Sequence, residues 1–99
     1  MPTTLSLRYR ELAALPESVV QSPDLQRLDL TGNQLASLPE SLMTLGHLEK
    51  LVLDGNQFTA LPEPLVTLGH LKELHADRNQ LLALPEHMGQ LANILRNRR

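Results

Sequence analysis

The chain contains no cysteine. This absence excludes disulfide bonds, thiolate metal ligands and a cysteine nucleophile, and it argues against a disulfide-stapled extracellular domain. Tryptophan is also absent, and the aromatic residues are limited to Tyr9 and Phe58. Because large aromatic side chains usually dominate binding hot spots, any binding surface of this chain has to depend on arginine, other charges and aliphatic side chains.

Long hydrophobic runs and an excess of charge are absent as well. The N-terminal segment holds no apolar stretch long enough for a signal peptide or a membrane span, so we expect a cytoplasmic protein. The formal net charge is −2, which creates no general attraction to nucleic acid or to acidic membranes, and we expect neither as a partner. A length of 99 residues corresponds to a single domain, residues 1–99.

What the chain does contain is a repeat with a period of 23 residues. Residues 28–50 and 51–73 are adjacent copies that are identical at 14 of 23 positions. The period extends in both directions and gives four copies followed by a short basic tail: 5–27, 28–50, 51–73, 74–96 and the tail 97–99. Each copy has two leucines separated by one residue, then an asparagine, then a leucine followed by proline. Arg10 replaces the asparagine in the first copy, and Ala76 replaces the second leucine in the last.

This pattern, LxxLxLxxNxLxxLPxxLxxLxx, resembles the leucine-rich repeat family, and the resemblance covers almost the whole chain. A fixed period of this length with leucine at nearly every third position is the signature of that family. The resemblance implies an α/β solenoid, a right-handed coil with a short parallel β-sheet on its concave face. The convex side is then expected to consist of short helical, 3-10 or extended segments.

The chemistry of the recurring residues agrees with that architecture. The two leucines of each LxL unit have period two, so both face the same side of a strand and stack with the next copy into a core. The asparagine column follows the strand, where a side-chain amide can bond the backbone groups of its own turn and of the neighbouring coil. The proline column cannot donate to a sheet and marks the end of extended pairing.

Two columns of ionisable residues could suggest a metal site. One contains Glu17, Glu40, Glu63 and Glu86, and the other contains Asp24, His47, His70 and Asn93. The glutamates follow proline at the start of each convex turn, where negative charge favours a helix N-terminus. The second column offers two imidazoles, whereas zinc needs three or four well-placed ligands. A third candidate, Asp54 with His75 and Asp77, is weak, and we predict no metal and no cofactor.

The sequence also offers no catalytic group. It has no cysteine, no Ser-His-Asp cluster and no glycine-rich phosphate loop, since its five glycines are spread by the repeat. We therefore expect no enzyme activity.

The outward positions of the strands are the candidate binding surface. They are the residue before each LxL unit, the residue inside it and the two that follow. The candidate partner-binding residues are Arg8, Tyr9, Arg27, Asp29, Lys50, Val52, Asp54, Glu73, His75, Asp77 and Arg78. Asp54 and Asp77 are expected side by side with Glu73 nearby, which predicts an acidic middle that contacts a basic partner. Arg8 and Arg27 make the N-terminal side basic, and such a divided face suits a charged protein partner.

The functional prediction is a protein–protein interaction module that binds a protein partner on the concave face. The alternative is a structural or self-associating repeat scaffold or fragment without its own ligand, such as the recognition part of a larger effector or signalling assembly. Residues 1–4 are too short to cover the first leucines, and Asn97 stands where the next leucine is due. Uncapped strands expose unpaired backbone groups that can pair with another copy of the chain. A homo-oligomer formed through the ends is therefore a further alternative.

Overall fold

The computed structural model describes residues 4–61, 65, 68, 70–82 and 94–96. Within these ranges the chain forms one parallel sheet whose strands lie side by side in the order of the sequence. The strands are β1 (Thr4–Ser6), β2 (Arg27–Asp29), β3 (Lys50–Val52), β4 (Glu73–His75) and β5 (Leu95–Arg96). The short parallel sheet predicted from the LxL pattern is confirmed, and its topology fits a leucine-rich repeat solenoid.

The register of the sheet follows the 23-residue period through the first four strands. Leu5 pairs with Leu28, and the same column continues along the sheet to Leu74. The last pairing departs from the period, because Leu74 lies opposite Leu95, 21 residues later. The period alone points to Asn97, so the final connection is two residues shorter than the others. This shortening turns the end of the fourth copy into a fifth strand.

The side opposite the sheet carries short 3-10 helices at Glu17–Gln21 and Glu40–Thr44. Each begins directly after a proline with extended backbone, Pro16 or Pro39. Proline is tolerated at this position because N–H groups at the start of a helix have no acceptor within the helix, so the N–H that proline lacks is not needed there. Each helix buries one apolar side chain toward the sheet. Among the described residues no helix is long and apolar enough to cross a membrane.

The core lies between the sheet and these segments. The leucines of the central strands are almost fully buried, and so is the apolar residue that comes directly after each of these strands. Together they form one continuous cluster. Phe58 replaces a leucine of this cluster and is fully buried. Burying each such side chain contributes about 1.5–3 kcal/mol. Leu5 and Leu7 of the first copy are only partly buried against the cluster.

The asparagine column ties the backbone of adjacent coils together. The Asn56 side-chain amide donates to the carbonyl oxygens of Leu30, Leu53 and Asp54 at 2.9, 3.0 and 3.2 Å. Its carbonyl oxygen accepts the N–H of Leu35 at 3.0 Å. One buried side chain thus satisfies backbone groups of two coils, since Leu30 and Leu35 belong to the preceding copy. This confirms the role predicted for the column.

The same arrangement occurs on both sides of Asn56. Asn33 donates to Leu7 and Leu30 and accepts the N–H groups of Arg10 and Leu12. Asn79 donates to Leu53 and Ala76 and accepts the N–H of Phe58. The column is therefore a ladder that repeats with the period of the sequence.

The ladder predicts that Asn56→Ala destabilises the chain by about 2–4 kcal/mol, because several buried backbone groups lose their hydrogen-bond partner. Gln57→Ala is the matched control, since the Gln57 side chain is exposed. Urea unfolding followed by circular dichroism measures both variants. Equal unfolding free energies for the two variants would show that the ladder does not hold the coils together.

Candidate binding face

The structure brings the predicted outward columns together on one side of the sheet. One column runs through Thr4, Arg27, Lys50 and Glu73. The next runs through Ser6, Asp29, Val52 and His75 and continues to Arg96. We call the outward side chains of β1–β5, with the two residues that follow the LxL unit of each of the first four coils, the binding face; those pairs are Arg8 and Tyr9, Thr31 and Gly32, Asp54 and Gly55, and Asp77 and Arg78. Arg96 was missed by the sequence analysis, because the fifth strand arrives two residues earlier than the period indicates.

The two aspartates expected in the middle of this face do lie next to each other, but they are used inside the chain. Asp54 is 9% exposed and Asp77 is 4% exposed. The Asp54 carboxylate accepts the backbone N–H of Asp77 at 2.7 Å. The Asp77 carboxylate accepts from Nε and Nη2 of Arg96, both at 2.8 Å. The Asp77–Arg96 ion pair therefore helps to fasten β5 to β4.

Asp29 is also engaged by its own neighbours. One carboxylate oxygen accepts both the backbone N–H of Thr31, at 3.0 Å, and its hydroxyl, at 2.5 Å. The other oxygen lies 3.6 Å from Nε of Arg8. Thr31 itself is buried. The third aspartate of the face thus shapes the turn after β2.

The accessible charge of the face is mostly positive. Arg8, Arg27, Arg78 and Arg96 are all exposed. Glu73 is exposed too, and its carboxylate lies 3.3 Å from Nζ of Lys50 and 3.7 Å from Nε2 of His75. Of the acidic middle expected from the sequence, Asp54 and Asp77 are covered, because a backbone N–H group and Arg96 occupy their carboxylates, whereas Glu73 stays exposed. Contact of Asp54, Asp77 and Glu73 with a basic partner stays a prediction.

The fourth column of the face has an unusual backbone. Tyr9, Gly32, Gly55 and Arg78 have φ values of 55°, 74°, 67° and 56°. Glycine adopts this left-handed region freely, whereas another residue there is strained by roughly 1–2 kcal/mol. Glu11, with φ 57°, is strained as well. This column therefore places two exposed non-glycine side chains, Tyr9 and Arg78, where glycine would relieve strain.

The ring of Tyr9 lies directly on Gly32. A Cβ atom at Gly32 would come within 2.2 Å of Cε1 of the ring, so no other residue fits beneath it without moving the tyrosine. The guanidinium carbon of Arg8 lies 5.5 Å from the ring centroid, within the range of a cation–π contact. The exposed tyrosine is thus positioned by a glycine below and an arginine beside it.

The columns considered for metal binding show little that would hold an ion. The rings of His47 and His70 stack with centroids 6.3 Å apart and planes 23° apart. Across the described ranges, no group of three or more His, Cys, Asp or Glu side chains is arranged to bind a metal. Glu63, Glu86 and Asn93 lie outside the described residues. The predictions of no metal and no cofactor remain predictions.

Comparison with known families decides the affiliation. A family model described as leucine rich repeat matches residues 3–58 and, in an overlapping match, residues 23–81. The chain belongs to the leucine-rich repeat family. A search of the curated proteins finds no match.

Solved structures show the same fold. The leucine-rich repeat ectodomain of the receptor kinase SOBIR1 from Arabidopsis thaliana is similar with a TM-score of 0.66 and 24% identity. The match covers 86% of this chain and 49% of the plant protein. A leucine-rich repeat protein of Leptospira interrogans is similar with a TM-score of 0.62 and 29% identity, over 94% of this chain and 31% of that protein. The chain spans half or less of either relative.

The internal use of Asp77 predicts that Arg96→Ala lowers the unfolding free energy by about 1–2 kcal/mol, since a buried carboxylate loses charged hydrogen bonds. Arg27→Ala is the matched control, because Arg27 is exposed and has no ion-pair partner in the described part of the chain. Hydrogen exchange adds a local readout. The N–H of Ala76, which donates to the Arg96 carbonyl, should lose protection only in Arg96→Ala. Equal stability and equal exchange in both variants would contradict the role of the pair.

Proposed function

We propose that this leucine-rich repeat chain is a protein-interaction module that binds a protein partner on the binding face. The observation that carries the proposal is the set of exposed arginines, Arg8, Arg27, Arg78 and Arg96, that one side of a hydrogen-bonded sheet presents. The leucine-rich repeat fold is a common interaction module, and stacked repeats typically offer extended surfaces to partners, which supports the same function. We further propose that the chain has no catalytic activity and that it is located in the cytoplasm.

The charge of the face favours an acidic partner. Exposed charges steer encounter and fix the orientation of a complex, whereas buried charges that are already paired contribute to folding. On this face the exposed set is led by Arg8, Arg27 and Arg78, and the buried set is Asp54 with Asp77. A partner surface rich in carboxylates therefore complements the accessible side chains best. Self-association through the end strands stays a separate prediction.

The test is a charge reversal on the face. Arg27→Glu should weaken capture of partner proteins from source-cell lysate by about tenfold or more, because an exposed attractive charge becomes repulsive. Lys72→Glu is the matched control, since the Lys72 side chain is 74% exposed, lies one residue before β4 and has its Nζ as far as 3.9 Å from Glu49. Quantitative mass spectrometry of the captured proteins reads out both variants.

Three outcomes of this capture are informative. Partners that are lost with Arg27→Glu, kept with Lys72→Glu and acidic in composition support the proposal. Partners kept equally by all variants place binding elsewhere on the molecule. An Asp54→Lys, Asp77→Lys double variant that folds and alone loses partners would favour the basic partner expected from the sequence.

A further inference from the structure

The strained turn column of the binding face has the layout of a small docking site. Its residues, Tyr9, Gly32, Gly55 and Arg78, are called the turn ledge. Backbone hydrogen bonds hold them at sheet spacing, since the N–H groups of Tyr9, Gly32 and Gly55 each donate to the coil that follows, at 2.9, 2.9 and 2.8 Å. With roughly 4.8 Å between adjacent strands, the backbones of Tyr9 and Arg78 lie about 14 Å apart.

The middle of the ledge is open. The Tyr9 ring occupies the space over Gly32. Over Gly55, a Cβ atom would meet only the backbone of Gly32 within the described residues, at 3.5 and 3.6 Å. A bare stretch of backbone therefore lies between the exposed ring and Arg78. Such a stretch lets another backbone approach closely, because no side chain stands in the way.

The two ends of the ledge offer complementary contacts. Tyr9 is 66% exposed and presents an apolar ring with a hydroxyl group. Arg78 is exposed, and no carboxylate of the described residues lies within 4.0 Å of it. An arginine whose guanidinium is open can take a carboxylate in a bidentate pair. Both residues have a strained backbone conformation that glycine would adopt without strain. Their side chains therefore do not improve stability, which indicates a role in binding.

We propose that the turn ledge binds a short, extended, acidic segment of the partner protein. The segment lies across Gly55, packs one residue on the Tyr9 ring and pairs a carboxylate with Arg78. At about 3.3 Å per residue, four or five extended residues cover the distance between the two ends. The inference rests on the proposed function, since it names the part of the face and the partner chemistry.

Single-stranded nucleic acid is the competing ligand, because bases stack on aromatic rings and phosphates pair with arginine. The acidic peptide is favoured by the scarcity of aromatic residues, two in the whole chain. A single exposed ring cannot form the succession of stacking platforms that single strands usually require.

Glycine substitutions separate binding from folding at this site. Tyr9→Gly and Arg78→Gly each remove an exposed side chain and relieve a strained φ, so Tm should stay unchanged or rise. Lys72→Gly is the matched control, because it removes one exposed positive charge and adds a glycine away from the ledge. The probe is a fluorescein-labelled peptide chosen from a random dodecapeptide library displayed on phage and selected on the unaltered chain.

The expected result is a selected peptide with an acidic consensus. Its Kd should rise at least tenfold with Tyr9→Gly and with Arg78→Gly, and less than twofold with Lys72→Gly. The proposal is overturned if the library yields no acidic consensus, or if both ledge variants bind the peptide as well as the unaltered chain. Tighter binding of fluorescein-labelled oligothymidine than of the peptide, lost in the same variants, would also overturn it.

The ledge can fail without the proposed function failing. If Arg27→Glu loses the lysate partners while both ledge variants keep them and still bind the peptide, the binding face stands and the ledge is wrong. If Arg27→Glu keeps every partner, the broader proposal is the one that is wrong.

Discussion

The hydrogen bonds of the asparagine ladder set the geometry on which the rest of the structure depends. Each asparagine pairs with backbone groups of its own coil and of the coil before it, at a place where the chain leaves the sheet and has no strand partner. Without those bonds, buried carbonyl and N–H groups would be unsatisfied in every turn. Because the ladder fixes where each strand ends, it also fixes which side chains share each outward column.

That fixed backbone decides how the charged residues of the face are used. Asp54 accepts a backbone N–H of the next coil, and Asp77 accepts from Arg96. A buried carboxylate is tolerated only when donors surround it, so these acids serve the fold and are withdrawn from the surface. The arginines of the face, in contrast, are exposed to solvent. The face consequently has a positive exterior over acidic groups that stabilise it.

Much of the fold follows from residue spacing, and the limits of that spacing are physical. The period places Leu28, Leu51 and Leu74 in one buried column because strand side chains alternate and the copies have equal length. The shorter last connection could not be read from the period, and Arg96 was missed with it. Whether an outward aspartate reaches solvent or a nearby N–H depends on distances of a few ångströms, which spacing does not contain. The glycines at Gly32 and Gly55 did hold a signal for the left-handed turn, and hence for the strain at Tyr9 and Arg78.

A map of where an acidic ligand contacts the chain tests the binding face most directly. Two-dimensional 15N–1H NMR spectra recorded during titration with the selected acidic peptide would report every backbone amide. We expect the largest shift changes on Tyr9, Gly32, Gly55 and Arg78 and on the strands beside them, with little change in the helices Glu17–Gln21 and Glu40–Thr44 on the opposite side. Changes concentrated in those helices, with the turn ledge unaffected, would contradict the assignment of the binding face.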